Sequence, residues 1–176
     1  ESAPPQDEAV ERFWALASKV ADITGLDVVV GRSELAALTP PAWSFGSTPE
    51  EADQLLALVL AGVKTATSSS LWERQEQGEE QPNPGDLSII CDGNGQPQVL
   101  VRIETVDVRP FDQVPAEHAA AEGEDDRSLE HWRRQRQREF TDTLAAYGRT
   151  FRADMPVVLE TFTVLFRRPR WHERVG

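Results

Sequence analysis

Only two lysines, Lys19 and Lys64, stand among sixteen arginines in this 176-residue chain, and Lys64 lies in a run of hydroxyls. The segment is Gly62-Val-Lys-Thr-Ala-Thr-Ser-Ser-Ser70. Lys64 and Thr67 are three residues apart, so a helical or turn-like backbone would bring them to one side. An ammonium lowered in pKa by burial can activate a hydroxyl nucleophile. Kept charged, it can hold a phosphate or an oxyanion. Gly-x-Lys-x-x-Thr alone also fits chance use of lysine.

Glu104 is the second candidate. It lies two residues from Arg102, on the same side of an extended segment. A carboxylate aimed into a cavity could serve there as general base, and an exposed Arg–Glu ladder pair fits the same spacing. The stretch Glu122-Gly-Glu-Asp-Asp-Arg-Ser128, with His118 four residues before Glu122, offers oxygen and nitrogen donors for a metal. It reads equally as a solvated acidic loop with Asp126 or Ser128 capping the next helix. Arg133, Arg134, Arg136 and Arg138 go around most of a helix and read as a solvated face or, in part, as phosphate contacts. Trp43 and Phe45 offer rings for stacking a base, or belong to the core.

The elements that must position these residues follow from periodicity and punctuation. Val10, Phe13, Trp14, Ala17 and Ala21 recur at three- and four-residue steps and predict a helix over 7–21. Leu26–Val30 reads as extended. Residues 38–42, with Pro40-Pro41, read as a linker. Thr48, Pro49 and Glu51 form a capping-box start for a helix that Gly62 ends. Residues 75–85 read as a loop. Leu87–Cys91 and Val99–Val108 read as a hairpin about Asp92-Gly-Asn-Gly95. A connection with a short helix (111–121), a long helix (128–147) and a last strand (155–166) follow. Strand and helix do not alternate, so an α+β fold is expected, a small mixed β-barrel or curled sheet with helices packed on it.

Charge narrows the partners. The chain carries 30 acids against 18 basic residues, net −12, and most of the excess lies in residues 1–100. Such a field repels nucleic acid, so a protein that coats double-stranded DNA is not expected. The basic residues Arg167, Arg168, Arg170 and Arg174 make the C-terminus locally positive. No apolar run reaches the length of a membrane span. The N-terminus lacks a basic patch followed by an apolar core, and the single cysteine, Cys91, excludes an internal disulfide; a cytoplasmic location is expected.

Taken in order, Trp43-Ser-Phe-Gly46, the capped helix, Gly62-Val-Lys-Thr-Ala-Thr67, Pro84-Gly-Asp86, Asp92-Gly-x-Gly95, Phe111-Asp-x-Val114, Glu122-Gly-Glu-Asp-Asp-Arg-Ser128, Trp132-Arg133 and Met155-Pro-Val-Val158 resemble the ASCH domain. The likeness is greatest to longer bacterial members with an N-terminal helical extension. It divides the chain into an extension (1–42) packed on the barrel, an ASCH domain (43–166) and a basic tail (167–176). It implies a PUA-like barrel with flanking helices and an association with RNA. Two hydrolase activities are known in that superfamily. One is metal-supported cleavage of single-stranded RNA, and the other is deacetylation of acetylated cytidine. By resemblance Lys64, Thr67 and Glu104 carry the second, while Lys64 and Ser128 serve the first. In one respect the chain departs from its relatives, which commonly place a His where it has Arg136.

The leading expectation is therefore a metal-assisted endoribonuclease in which Lys64 stabilises phosphoryl charge, with manganese or magnesium as cofactor. Single-stranded RNA or a nucleoside is the expected partner. Trp43, Phe45, Ser68, Arg102, Arg127, Trp132 and Arg133 are the candidate substrate contacts. An amidohydrolase with Thr67 as nucleophile and Lys64 as base is the alternative, and a non-catalytic RNA-binding module is a third class.

Overall fold

A computed structural model describes residues 2–21 and 39–169. The expected extended run at 26–30 and the residues from 170 onward lie outside it. Helix α1 spans Asp7–Val20 and buries Val10, Phe13, Trp14 and Ala17 on one stripe. Asp7 and Glu8 in its first turn and Lys19 in its last complement the helix dipole. Strand β1 is the pair Ala42–Trp43, and helix α2 runs Pro49–Leu60. The predicted cap of α2 forms, since the Thr48 hydroxyl accepts from the Glu51 amide at 3.2 Å. Glu51 reaches back to accept from the Ser47 amide at 2.8 Å.

Strand β2 is Ala66–Ser70, and helix α3, Leu71–Gln77, follows it without a break. Neither was expected. The hydroxyl-rich sequence shows no apolar alternation, and its pairing comes from a distant strand. Ser70 caps α3 by accepting from the Glu73 amide. Strands β3 (Leu87–Cys91) and β4 (Pro97–Pro110) form the expected hairpin, with a bulge at Ile90/Cys91. Gly95 takes the positive φ of +74° that its turn requires. A single 3₁₀ turn at Phe111–Gln113 leads to α4 (Ala116–Glu122), α5 (Leu129–Ala145) and β5 (Pro156–Arg167).

The five strands form a mixed sheet in the order β1-β3-β4-β5-β2. β1 is parallel to β3, while β3 with β4 and β2 with β5 are antiparallel. The fold is α+β as expected. The barrel of the sequence-based expectation is here a sheet that does not close on itself.

The chain divides into two compact units. The first holds residues up to Leu60, Leu87–Arg102 and those from Val164 onward. Its core joins the α1 stripe to Ile89, Cys91, Leu100 and Phe166, with Phe13 edge-on to Phe166 at 5.4 Å. Burial pushes the Cys91 thiol up to about 11, so it stays a neutral, packed group. The second unit comprises Ala61–Asp86 and Ile103–Thr163. Its core gathers Phe111, Trp132, Phe140, Leu144, Met155, Val157 and Leu159. Phe111 is its centre, stacked on Trp132 at 5.3 Å and edge-on to Phe151 at 4.9 Å.

Leu144 is wholly buried in that second core, whereas Leu16 of α1 is largely exposed. Leu144→Ala is expected to lower unfolding free energy by about 2–5 kcal/mol. Leu16→Ala is expected to change it by less than about 0.5 kcal/mol. Urea denaturation midpoints of the two variants check the contrast.

Candidate active site

The second unit contains a buried cluster of charge built on the end of α4. His118 and Glu122 are four residues apart on that helix and share a face. Gly123 ends it in the left-handed conformation, at φ +72°. A Cβ on Gly123 would stand 2.5 Å from the Val63 carbonyl oxygen, so only glycine lets the two backbones pass this closely. That approach seats the start of β2 against α4. The Thr65 amide donates to the Ala121 carbonyl at 2.8 Å, and the Lys64 amine donates to the Glu122 carbonyl at 3.3 Å.

Helix α5 closes the cluster from the other side. Ser128 caps it by accepting from the His131 amide at 3.1 Å, and Asp126 accepts from the Ser128 amide at 2.8 Å. Trp132 and Arg136, one turn apart, then face inward. The Trp132 indole donates to Glu122 Oε1 at 2.7 Å. Ser68 donates to the same oxygen at 2.6 Å, and His118 Nε2 lies 3.1 Å from it. The Arg136 guanidinium donates to Glu122 Oε2, to Glu124 at 2.6 Å and to Glu139 at 2.5 Å. The Lys64 amine lies 3.8 Å from Glu122 and 3.9 Å from Glu124.

Lys64 and Glu122 are each only 1% exposed. Burial lowers the Lys64 pKa against the pull of Glu122 and Glu124. Burial alone would raise Glu122. Arg136, the His118 hydrogen bond and Lys64 overcome it and hold the carboxylate well below its ordinary range. Arg136 also loses solvation, but Glu122, Glu124 and Glu139 raise its pKa further, so it stays charged.

The sequence-predicted residues distribute unevenly around this cluster. Lys64 is at its centre, Ser68 is bonded into it, and Trp132 joins it through its indole N–H. Thr67 is half-buried and pairs across the sheet with Glu160. Strand alternation turns it to the face opposite Ser68, where a turn-like backbone was expected. Its hydroxyl makes no hydrogen bond to another described residue. Glu104 is exposed on β4, and Arg102 is also exposed there. Ser128 serves as a helix cap. Arg127 is exposed and donates to the Ala120 carbonyl, and Arg133 donates to the Asp112 carbonyl. Trp43 and Phe45, in the first unit, pack edge to face at 4.6 Å, and Phe45 is buried.

The basic face expected on α5 loses Arg136, which points into the protein. The expected solvated loop likewise loses Glu122 and Glu124. The spacing of His118 and Glu122, read as metal donors, instead serves a hydrogen bond, and the missed signal was the four-residue spacing of Trp132 and Arg136. Asp125, Asp126 and His131 bring donor atoms within 4.8 Å of one another. Asp126 already caps the helix and His131 is paired with Asp125 at 2.9 Å. Each of the three already has a partner within the protein, and Asp125 and Asp126 are exposed.

The α+β sheet with its flanking helices has the PUA-like fold. The sequence model of the ASCH domain matches residues 41–166, and the chain belongs to that family. The family is generally associated with RNA binding. The chain is similar to the crystal structure of protein EF3133 from Enterococcus faecalis V583, assigned to family DUF984. The two share 33% identity over 90% of this chain and 89% of that one, with a TM-score of 0.76. It is also similar to an ASCH domain from Lactobacillus crispatus JV V101, with 26% identity over 92% and 96% of the two chains and a TM-score of 0.74. No curated protein matches. Among the described residues no helix is long and apolar enough to cross a membrane.

Breaking the cluster on one side leaves an uncompensated buried charge. Glu122→Gln and Arg136→Met are each expected to cost about 3–5 kcal/mol. The double variant is expected to cost less than the sum, because each partner's burial is penalised chiefly by loss of the other. The folded pKa of Glu122 lies below its ordinary 4.5, so between the two values the unfolded chain binds more protons. Its stabilisation is present above 4.5 and is lost as pH falls through the folded value. Chemical denaturation across the acid range is expected to show this loss in the wild type, and a shallower one in Glu122→Gln.

Proposed function

We propose that the protein is an amidohydrolase that removes the acyl group from an acylated nucleobase amine, acetylated cytidine being the type substrate. The observation that carries this reading is the Lys64 amine, buried against Glu122 beside a run of hydroxyls. A lysine with a lowered pKa is neutral in a larger fraction of molecules near pH 7, and only the neutral amine can take a proton. The carboxyl groups of Glu122, Glu124 and Glu139 outnumber the basic groups of the cluster, Lys64 and Arg136. The cluster therefore offers little net positive charge to a phosphodiester, and the acidic chain as a whole repels a long polyanion. A neutral acyl amide suits it better.

In this reading a water molecule attacks the acyl carbon and gives a proton to the Lys64 amine. The tetrahedral adduct then expels the nucleobase amine and releases the carboxylic acid. Thr67, on the strand face opposite Ser68, takes no part. Ser68, tied to Glu122, fixes the carboxylate that holds Lys64 in place.

Acetylcytidine turnover followed by chromatography tests the proposal. Lys64→Ala is expected to lower kcat by about a hundred- to ten-thousand-fold, and Thr67→Ala to leave it nearly unchanged. Ser68→Ala is expected to lower it by about tenfold, in line with loss of one orienting hydrogen bond to a charged group. Retained turnover in Lys64→Ala would remove the assignment.

The endoribonuclease reading is favoured by one other feature. Arg134 and Arg138 sit one turn apart on α5, around an open depression shared with Gln137, Thr141 and Asp142. Exposed guanidinium groups there suit an RNA backbone. Incubation with single-stranded RNA, with and without manganese, separates the readings. Metal-stimulated cleavage abolished by Lys64→Ala would favour the nuclease. Salt-sensitive binding without product would favour a non-catalytic module.

A further inference from the structure

We infer that Glu124 is the proton-carrying carboxyl of the Lys64 cluster, the group that hands a proton to the leaving amine. The inference rests on the amidohydrolase reading of this site.

The acceptor atoms of the two carboxyl groups are unequally used. Glu122 has both oxygens committed: Oε1 to Ser68, Trp132 and His118, and Oε2 to Arg136. It is a fixed anion with no position left for a proton. Glu124 differs. Its Oε2 is held by Arg136 at 2.6 Å, while Oε1 is buried and has no hydrogen-bond partner among the described residues. An unpartnered buried carboxylate oxygen is costly as an anion and is stabilised by taking a proton. Two neighbouring carboxyl groups with such unequal surroundings divide into a permanent anion and a proton carrier.

The charged and titratable groups around Glu124 agree. Glu122 acts on it from α4, Lys64 from the segment before β2, and Arg136 from α5, while His118 is bonded to Glu122 and Glu139 to Arg136. Asp125, Asp126 and Arg127 follow it in its own loop. Burial raises the Glu124 pKa from its ordinary 4.5, opposed by Arg136 and Lys64 and reinforced by the charge of Glu122. At 9% exposure Glu124 is also the more accessible of the two carboxyls.

The chemistry then balances. Attack by water leaves a proton on Lys64. When the adduct collapses, the C–N bond breaks and its electron pair goes to the amine nitrogen, which takes the proton from Glu124 Oε1, while the acyl group leaves as the carboxylic acid. The Lys64 ammonium, 3.9 Å from the Glu124 carboxylate, then returns a proton to it. Each group ends as it began.

Carboxyl-carbon NMR titration of the whole protein, with labelled glutamate, tests this without substrate. Glu124→Asp and Glu124→Gln assign the resonance. The Glu124 signal is expected to move at clearly higher pH than those of exposed glutamates, with the Glu122 signal still through the same range. A Glu124 signal that titrates along with the exposed glutamates would overturn the inference. With acetylcytidine, Glu124→Gln is expected to lower kcat about a hundred-fold or more with KM nearly unchanged, and Glu124→Asp to restore part of it. The wild-type kcat should also fall as pH rises and Glu124 gives up its proton, a limb missing from Glu124→Gln. Wild-type kcat and pH profile in Glu124→Gln would equally overturn it. If the wild type leaves acetylcytidine intact, the amidohydrolase reading fails, and the titration still decides whether Glu124 holds the proton.

Discussion

The carboxylate of Glu122 is the constraint around which the second unit is arranged. It is the last residue of α4, where unsatisfied carbonyls already concentrate negative charge. An anion buried there is disfavoured twice, by lost solvation and by the helix end. It survives because three separate segments bring donors to it. Lys64 comes from the segment before β2, Ser68 from β2 itself, and Trp132 and Arg136 from α5. The Lys64 amine answers both penalties together, since it also takes the Glu122 backbone carbonyl at the helix end.

Charge closure within the cluster follows from the kind of cation at position 136. A guanidinium is planar and forked, so one Arg136 nitrogen serves Glu122 and Glu124 while another serves Glu139. An ammonium at that position would be a point charge and could not span the three with comparable geometry. The resemblance to ASCH relatives leads one to expect a His here. A His would leave the two buried carboxylates with less fixed positive charge. Arg136 thus ties Glu122, Glu124 and Glu139 to one fixed positive charge.

The parts of the fold governed by local physics were legible in the sequence. The stripe of α1, the capped start of α2, the β3–β4 hairpin and the long helix α5 all carry their own periodicity or punctuation. Strand β2 carries neither, because Ala66–Ser70 is small and hydroxyl-bearing. Its place is set by the apolar residues of β5 opposite, Val157 to Thr161. The site was legible to a similar depth. Lys64 was marked by composition, but the acid that meets it was not. Glu104 sits in an alternating strand, where periodicity tells which residues share a face but not whether the face is covered. Glu122 and Glu124 looked like a solvated acidic run, as most such runs are. What buries them is the passage of the chain at Val63 over Gly123, a contact between residues sixty apart.

The uneven use of lysine and arginine acquires a physical reason once both cations are seen in one cluster. Arginine is not deprotonated in proteins, so Arg136 can hold two carboxylates in place but cannot exchange a proton. A buried lysine is a compact charge whose pKa responds strongly to its surroundings, and it can alternate between amine and ammonium. The cluster therefore separates two tasks. The permanent cation stabilises the geometry, and the titratable one is set where burial makes its neutral form accessible. Exchanging the two residue types would preserve the charge count and reverse that division, leaving the hydroxyl run beside a guanidinium that has no free base to offer.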